Sequence, residues 1–513
     1  MLARVPSATV VGLDGHMVTV EVDVSGESPA FNIVGLPDPA VRESKDRVQS
    51  AIRNSGFYFP EARITVNLAP ADLRKQGPLF DLPIAIGLLL ATGQCASDVV
   101  SDVAIVGELG LDGLVRPVHG VLPMAIGAAR AGVPRIIVPT ANAKEAAVVQ
   151  EIEVYTVETL YDTVRLLETE FMAEPVKVNP EDLSPDRPCY DVDFGDVRGQ
   201  ELAKRALEVA VAGGHHLLMI GPPGVGKTML AQRVPTIMPP MSLQEALEVT
   251  QIYSVAGLLP SDTAIVRERP FRNPHHSISV AGLIGGGSIP QPGEVSLAHN
   301  GVLFLDELPE FPRQAIEGMR EPLESGEVVI ARAQLTVRFP ARFQLIADMN
   351  PCPCGHYGDP ARPCHCAPGD IARYRRKISG PVLDRIDIHM EVPRLKAEEL
   401  MAPGAGEPSE KIRSRVMAAR ERQQRRYAGT PFFKNADLTA RAVREFCRLK
   451  PEAEALLRAA MDQFALSARA HDKVLKVART IADLEGSDDI STPHVAEAIQ
   501  YRITDRRLWL ELA

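Results

Sequence analysis

The stretch from Gly221 to Thr228 has the residue types and spacing best suited to chemistry. It reads Gly-Pro-Pro-Gly-Val-Gly-Lys-Thr, the pattern of a phosphate-binding loop, between an apolar run at 216–220 and a helix-like segment at 229–233. In that setting backbone N–H groups point at phosphates, Lys227 reaches the β- and γ-phosphates, and the Thr228 hydroxyl binds Mg²⁺. A chance glycine turn is the alternative. The expected nucleotide-binding residues are Gly221, Pro222, Pro223, Gly224, Val225, Gly226, Lys227 and Thr228.

Two adjacent carboxylates follow a second apolar run. Residues 302–305 predict a central parallel strand buried on both faces, and Asp306 and Glu307 come directly after it. Ligands bind at this carboxyl edge in open α/β sheets. We expect Asp306 to hold Mg²⁺ through water and Glu307 to polarise the attacking water. Phosphoryl transfer needs little beyond such positioning and charge neutralisation.

Cysteines form the next group of chemical interest. The chain has seven, and four of them lie within one short loop rich in Pro and Gly. In a reducing compartment this grouping favours a metal over disulfides, and four thiolates complete a tetrahedral Zn²⁺ site. His356 and His365 are alternative ligands, and reduced thiols packed near the nucleotide site are the alternative interpretation. The four cysteines are Cys352, Cys354, Cys364 and Cys366.

Length and charge limit the classes of protein to which the chain can belong. Its 513 residues are enough for about two to four domains. The formal net charge of −10 excludes a polycation, so contact with nucleic acid requires a local basic patch or an oligomeric pore. No signal peptide is expected, and the longest apolar run, 82–92, is shorter than the about 20 residues that cross a bilayer. We expect a cytoplasmic protein without membrane contacts.

The predicted fold class is α/β and multidomain. Residues 1–167 mix helical stretches with period-two alternation, as in 18–24, which indicates an α+β domain. Residues 168–190 are polar and proline-bearing, which is typical of a linker. A nucleotide-binding α/β core is expected at 191–393, and a helical region at 394–513.

Several ordered motifs resemble those of the magnesium-chelatase-like branch of the AAA+ ATPases. Together with the N-terminal region they make the chain similar to the YifB/ComM proteins over essentially its full length. The resemblance implies an ATP- and Mg²⁺-dependent ATPase with a central AAA+ P-loop α/β domain and a C-terminal helical lid. The motifs are residues 197–200, 221–228, 292–307 and 349–355.

The resemblance also implies roles for three further residues. Asn350 follows an apolar strand and matches the first sensor, a polar group near the γ-phosphate. Arg385 matches the arginine finger, which offsets transition-state charge across a subunit interface and is worth about 10³–10⁵ in rate. Arg469 matches the second sensor in the lid. An ordinary surface or ion-paired side chain is the alternative for each arginine.

Two segments distinguish this branch from simpler AAA+ folds. One is the long insert 271–300 with its glycine run 282–287, and the other is the hairpin-like stretch 328–338. Similar inserts in replicative helicases face the pore, so we expect contact with DNA here; an ordinary mobile loop is the alternative for the glycine run. The basic stretches 373–377 and 411–426 could meet phosphates, although charge runs on helices are often solvated faces.

The N-terminal region resembles the catalytic domain of Lon proteases without its catalytic residues. Leu79 stands at the position of the serine, and Leu122 at the position of the paired lysine. A Ser–Lys dyad needs a hydroxyl and an amine that takes its proton, and leucine supplies neither. Peptidase activity is therefore not expected, and the domain is interpreted as a scaffold or an extension of a DNA channel.

The family resemblance implies a ring, expected to be a homo-hexamer, that hydrolyses ATP to act on single-stranded or branched DNA. Branch migration or unwinding during homologous recombination, as in natural transformation, is the expected activity. A magnesium-chelatase-type or chaperone-type remodeller of a partner protein is the alternative. The ATPase core alone does not separate the two.

Overall fold

The computed structural model describes residues 1–26, 28–179, 190–332, 335–395, 406–464 and 466–510, with side chains described as far as residue 502. These form two compact units, one of Met1–Pro185 with Ser242–Arg267 and one of Asp186–Met241 with Glu268–Ala513. Part of the expected linker, 180–189, and the start of the expected lid, 396–405, lie outside the described residues. In the described part no helix is both long and apolar enough to span a membrane.

Among the described residues of the first unit before the expected linker, there are nine strands and six α-helices. The strands are β1 (Leu2–Val11), β2 (Asp14–Ser25), β3 (Ala30–Val34), β4 (Arg63–Ala69), β5 (Val103–Ile105), β6 (Glu108–Leu109), β7 (Val115–Arg116), β8 (Arg135–Pro139) and β9 (Glu153–Val157). The helices are α1 (Pro39–Arg42), α2 (Ser44–Asn54), α3 (Asp81–Ala91), α4 (Val121–Arg130), α5 (Ala143–Ala146) and α6 (Leu160–Glu168).

The first unit is built on a mixed sheet of order β1-β2-β4-β3 and a parallel sheet of order β5-β8-β9. Alternating valines of β2, including Val20 and Val22, point inward and are fully buried under α3. Helix α3 approaches so closely that a Cβ on Gly87 would lie 2.6 Å from Val22. The predicted α+β organisation of this region is therefore present.

The remaining strands and helices follow in chain order. The strands are β10 (Leu217–Ile220), β11 (Phe271–Arg272), β12 (Gly285–Gly286), β13 (Gln291–Pro292), β14 (Val302–Leu305), β15 (Glu327–Arg332), β16 (Leu335–Pro340), β17 (Gln344–Met349) and β18 (Ile388–Glu391). The helices are α7 (Glu201–Gly213), α8 (Lys227–Ile237), α9 (Leu243–Val255), α10 (Val280–Ile284), α11 (Glu294–Leu297), α12 (Arg313–Gly318), α13 (Arg320–Ser325), α14 (Pro368–Arg375), α15 (Gly380–Leu383), α16 (Ser409–Arg426), α17 (Ala440–Phe446), α18 (Pro451–Phe464), α19 (Ala468–Leu484) and α20 (Thr492–Leu510).

Helix α9 belongs to the first unit although the sequence places it inside the expected core at 191–393. It packs against α4, and its Ser254 hydroxyl donates a 2.6 Å hydrogen bond to the buried carboxylate of Glu145. The carbonyl of Ser254 also accepts from the N–H of Gly120 at 3.0 Å. The first unit is thus not contiguous in sequence, because a helix can bury its apolar face against a distant part of the chain. The four-part division of the chain otherwise stays a prediction.

The second unit is centred on a five-stranded parallel sheet of order β11-β14-β17-β10-β18. Its middle strands are buried on both faces and are apolar except for Gln344 and Asp348 in β17, as expected for a sheet covered by helices on each side. Helices α16 to α20 pack on one another and on α7, and one apolar cluster joins them to the sheet. The predicted α/β class with a helical C-terminal region is confirmed.

Candidate active site

The phosphate-binding loop connects β10 to α8, as the motif requires. Gly224 and Gly226 have φ angles of 78° and 92°, in the left-handed region that favours glycine. Gly221 has a different constraint, because a Cβ there would lie 2.4 Å from the carbonyl oxygen of Val392. The loop therefore exposes main-chain N–H groups at the beginning of α8, where the helix dipole favours an anion.

Lys227 is the first residue of α8, and its ammonium group is directed into the loop. Its Nζ donates to the carbonyl oxygens of Gly221 at 2.8 Å and Pro222 at 3.2 Å. It also donates to Oδ1 of Asn350 at 3.3 Å and lies 3.5 Å from Oδ2 of Asp348. The side chain is only 7% exposed, so the charge is held where a triphosphate would lie.

The carboxyl ends of β14 and β17 bring further polar groups to this loop. Because these strands are parallel neighbours, Asp306 after β14 lies beside the end of β17. The hydroxyl of Thr228 donates to Oδ2 of Asp306 at 3.4 Å. A hydroxyl and a carboxylate in contact are oxygen ligands suited to Mg²⁺, so these residues fit the cation that this fold class uses. When bound, the cation neutralises charge on the phosphate oxygens.

Glu307 adopts a left-handed backbone conformation. Its φ is +56°, and its side chain is exposed. A left-handed non-glycine residue is uncommon and is often found at functional positions. The main-chain N–H of Glu307 donates a 2.6 Å hydrogen bond to Oδ1 of Asp348, which holds this conformation.

Asp348 is a member of the site that the sequence argument missed. It lies in β17 and is 2% exposed. Burial, the largest effect, raises the pKa of Asp348 to about 7, while the charge of Lys227 acts in the opposite direction. The signal available in the sequence was an acidic residue inside an otherwise apolar strand, because a buried carboxylate has to have a partner.

Each of the two predicted arginines is paired within its own chain. Arg385 donates to the carbonyl of Pro381 at 2.7 Å and to Oε2 of Glu324 at 2.5 Å. Arg469 lies at the beginning of α19 and reaches Oδ2 of Asp384 at 3.4 Å. The structure thus brings Lys227 to Asn350 and Thr228 to Asp306, while the arginine roles stay predictions.

The four clustered cysteines converge at one point directly after Asn350. The Sγ atom of Cys352 lies 3.4 Å from that of Cys354 and 3.7 Å from that of Cys364, and the last two are 3.6 Å apart. All four sulfur atoms, that of Cys366 included, lie within 4.8 Å of one another. These separations match the edge of a tetrahedron with Zn–S bonds of about 2.3 Å, which is about 3.8 Å.

Backbone N–H groups support this cysteine cluster. The N–H of Tyr357 donates to Sγ of Cys352 at 3.3 Å, and the N–H of Cys366 donates to Sγ of Cys364 at 3.4 Å. Such hydrogen bonds stabilise thiolates that bind a metal. His356 instead lies 3.5 Å from the carboxylate of Asp359. The thiolates therefore fit Zn²⁺ better than a mixed set that includes this histidine.

The two leucines at the Lon positions are part of the apolar core of the first unit. Leu79 is 8% exposed and Leu122 is fully buried. Neither offers a nucleophile or a base.

The fold and the site together define a P-loop ATPase of the AAA+ class. Family models for "Magnesium chelatase, subunit ChlI", "Subunit ChlI of Mg-chelatase" and "Magnesium chelatase, subunit ChlI C-terminal" match residues 193–400, 20–142 and 406–502. The chain is 45% identical to "Competence protein ComM" of Haemophilus influenzae over 514 residues, covering 99% of this chain and 98% of that protein.

Other relatives extend the comparison. Identity to YifB of Escherichia coli is 44% over 515 residues, with coverage of 99% and 98%. Identity to Lon protease 2 of Bacillus subtilis is 36% over 154 residues, which is 27% of this chain and 26% of that protein. The chain therefore belongs to the YifB/ComM family of magnesium-chelatase-like AAA+ ATPases, with a Lon-like region.

Proposed function

We propose that this ATPase is a ring-shaped motor, a homo-hexamer, that acts on single-stranded or branched DNA. Its activity would be branch migration or unwinding during homologous recombination and natural transformation, in the cytoplasm. The observation that carries the proposal is an intact ATP site in a chain that matches a competence protein over nearly its full length. A competence ATPase whose substrate is DNA fits an acidic chain that needs a lined pore to hold a polyanion.

Within one chain, each residue of the site has a defined task. The loop N–H groups and Lys227 bind the phosphates, and Thr228 with Asp306 holds Mg²⁺. Glu307 orients and polarises the attacking water, and Asn350 fixes the γ-phosphate side of the pocket. Asp348 positions both Lys227 and Glu307, since it contacts the ammonium group of one and the main chain of the other. These tasks amount to positioning and charge neutralisation.

A neighbouring protomer would supply the remaining positive charge. Arg469 pairs with Asp384, the residue that directly precedes Arg385, so the two arginines meet the same short segment of the chain. This juxtaposition supports a joint role at a subunit interface, with Arg385 as the finger and Arg469 as the second sensor. The guanidinium of Arg385 would leave Glu324 for the neighbour's γ-phosphate.

Two insert segments are the proposed DNA-contacting elements. Strands β15 and β16 form an antiparallel hairpin in which Val329 pairs with Arg338, and Ala333 and Gln334 at its tip lie outside the described residues. Arg332 near the tip donates to the carbonyl of Gly287 at 3.2 Å. The hairpin and the glycine run are thus in contact, which supports their joint movement with nucleotide state.

In both basic stretches several charges already have partners within the chain. Arg415 and Arg426 of α16 bind carboxylates of their own chain, so the second stretch is largely structural. In the first stretch Arg373 pairs with Asp370 and Lys377 pairs with Glu310. Arg376 is exposed and lines an open groove together with the exposed Arg313. We propose the groove as a contact for the phosphate backbone.

The four-cysteine loop is proposed to hold a structural Zn²⁺. The sulfur separations and the N–H···S bonds support it. Metal analysis after gel filtration is expected to give one zinc per chain and less in Cys364→Ser; a folded, metal-free wild type would refute the site. The N-terminal unit is proposed to be a scaffold or a channel extension.

A branch-migration assay tests the motor proposal. Wild type is compared with Lys227→Ala, which loses the phosphate contact, and Glu307→Gln, which binds ATP without turnover. We expect DNA-stimulated ATP hydrolysis and strand displacement for wild type, and neither for the variants. ATP hydrolysis that is indifferent to DNA, without strand displacement on forked substrates, would refute the motor. The matches to chelatase subunit models favour remodelling of a partner protein in that case.

A further inference from the structure

The cysteine loop and the helix that follows it, α14, contact the ATP site and the residue next to it at three places. A Cβ on Gly355, whose φ is +81°, would lie 2.7 Å from Cδ of Pro223 in the phosphate loop. Only a glycine lets the loop come this close to the phosphate loop. The main chain of the cysteine loop at Gly355 therefore packs directly against the ring of Pro223.

The second contact involves Pro351, the residue between Asn350 and Cys352. The carbonyl of Pro351 accepts from Nε of Arg375 at 3.2 Å and from the second terminal nitrogen of Arg375 at 3.0 Å. Arg375 is 3% exposed and lies over the ring of Tyr357, with its guanidinium carbon 5.4 Å from the ring centroid. The main chain next to Asn350 is thus held by a buried guanidinium.

A third contact involves Tyr374, one residue earlier in α14. The main chain of Asn350 hydrogen-bonds to the Tyr374 hydroxyl. Helix α14 therefore holds both Asn350 and Pro351 through residues near its C-terminal end.

The cysteines provide a second connection between the end of β17 and α14. Cys352 and Cys354 follow β17, whereas Cys364 and Cys366 directly precede α14. A metal bound to all four would join the end of β17 to the start of α14, while Arg375 at the end of α14 returns to Pro351. Without the metal, only reduced thiols would hold the first of these two connections, and thiols bind one another weakly.

From these contacts we infer that the four-thiolate metal centre is a positioning element of ATP hydrolysis in this protein. This inference rests on the zinc ligation proposed above. Zinc fixes 351–355, which keeps the Asn350 amide at Lys227 and supports the phosphate loop at Pro223. Loss of the metal therefore changes nucleotide binding and turnover, in addition to any effect on folding.

The test uses the full chain and measures zinc content, affinity for a fluorescent ATP analogue, and kcat and KM separately. Cys364→Ser removes a ligand without touching Pro223, Cys364→His keeps a group that binds zinc, and Cys447→Ser is the control in the lid. We expect Cys364→Ser to lose zinc, to bind the analogue more weakly and to lose about 10- to 100-fold in kcat, as small misplacements do. Cys364→His should keep zinc and most of the turnover, and Cys447→Ser should resemble wild type.

Zinc-free Cys364→Ser with the affinity and kcat of wild type would overturn the inference. If this variant does not fold, chelation of wild type followed by addition of zinc gives the same comparison, with circular dichroism to follow the fold. If folded wild type contains no zinc as purified, both the zinc ligation and this inference are refuted, and the motor proposal is unaffected. Zinc-loaded protein that hydrolyses ATP without a response to DNA refutes only the motor.

Discussion

The main-chain N–H of Glu307 donates to Oδ1 of Asp348, and the other oxygen of that carboxylate faces the ammonium group of Lys227. One buried side chain therefore connects the phosphate-binding lysine to the residue that is expected to orient water. These two contacts give the carboxylate partners inside an otherwise apolar sheet, where an unpaired charge would be costly.

Replacing Asp348 should lower turnover without lowering stability. In Asp348→Asn the amide oxygen still accepts from Glu307, but the charge opposite Lys227 is lost, so we expect kcat/KM to fall by about 10- to 100-fold. Because burial raises the pKa of Asp348, a neutral side chain removes a desolvation cost, and Tm should stay equal or rise. The exposed Asp462→Asn in α18 is the control, and equal kcat/KM in all three proteins would contradict the assignment.

Mixing two inactive variants should restore ATP hydrolysis if the site is shared. Arg385→Ala is expected to bind ATP normally and to lose about 10³-fold or more in turnover. Lys227→Ala keeps the arginine finger but has a phosphate loop that lacks its lysine. A mixed ring contains some interfaces with an intact loop from one protomer and Arg385 from the next, so activity should return on mixing. The formation of mixed rings has to be shown independently. If such rings stay inactive at every mixing ratio, an arginine finger supplied by the neighbouring protomer is excluded.

The groove at Arg376 gives a prediction about salt dependence. If Arg376 neutralises one DNA phosphate, Arg376→Ala should lower the slope of log affinity against log salt concentration by about 1. ATP hydrolysis without DNA should be unchanged. Arg425→Ala is the matched control, because Arg425 is exposed on α16 and pairs with Glu421 at 3.4 Å. A control that changes the slope as much as Arg376→Ala would exclude a specific contribution of the groove.

Acid should destabilise the second unit through His215. Burial, the largest effect, lowers the pKa of His215 from its usual 6.5, even though Nδ1 lies 3.1 Å from Asp387. The unfolded chain takes up a proton that the folded chain does not, so stability is complete above pH 6.5 and falls as pH decreases below it. Asp387, whose pKa is lowered, adds a loss of the same sign at lower pH.

Thermal unfolding between pH 7.5 and 5 measures this effect. His215→Gln should start from a lower Tm, because it loses part of the contact with Thr480, but its Tm should depend less on pH. An unchanged slope of Tm against pH in this variant would show that His215 does not carry the dependence.

Much of the ATP site could be predicted from the sequence, because local patterns determine it. The runs before Lys227 and Asp306 are short, apolar and followed by polar residues, which is how central parallel strands end. Position along the chain, however, does not tell which elements touch. The amphipathic pattern of α9 indicates a buried face but not that α4 covers it. In the same way, the sequence shows Asp348 as an acidic residue in an apolar strand, but its contacts with Lys227 and with the main chain of Glu307 could be identified only from the structure.

The placement of α9 also affects how the protein is made. A ribosome delivers residues 1–185 first, yet the surface of α4 that α9 covers stays bare until residues 242–267 have emerged. The N-terminal unit therefore cannot mature before much of the ATPase sequence has been translated. A gene that ends after the expected linker therefore encodes an incomplete unit. To transfer the whole unit to another protein, the chain has to be joined at three places, after residue 185, before residue 242 and after residue 267.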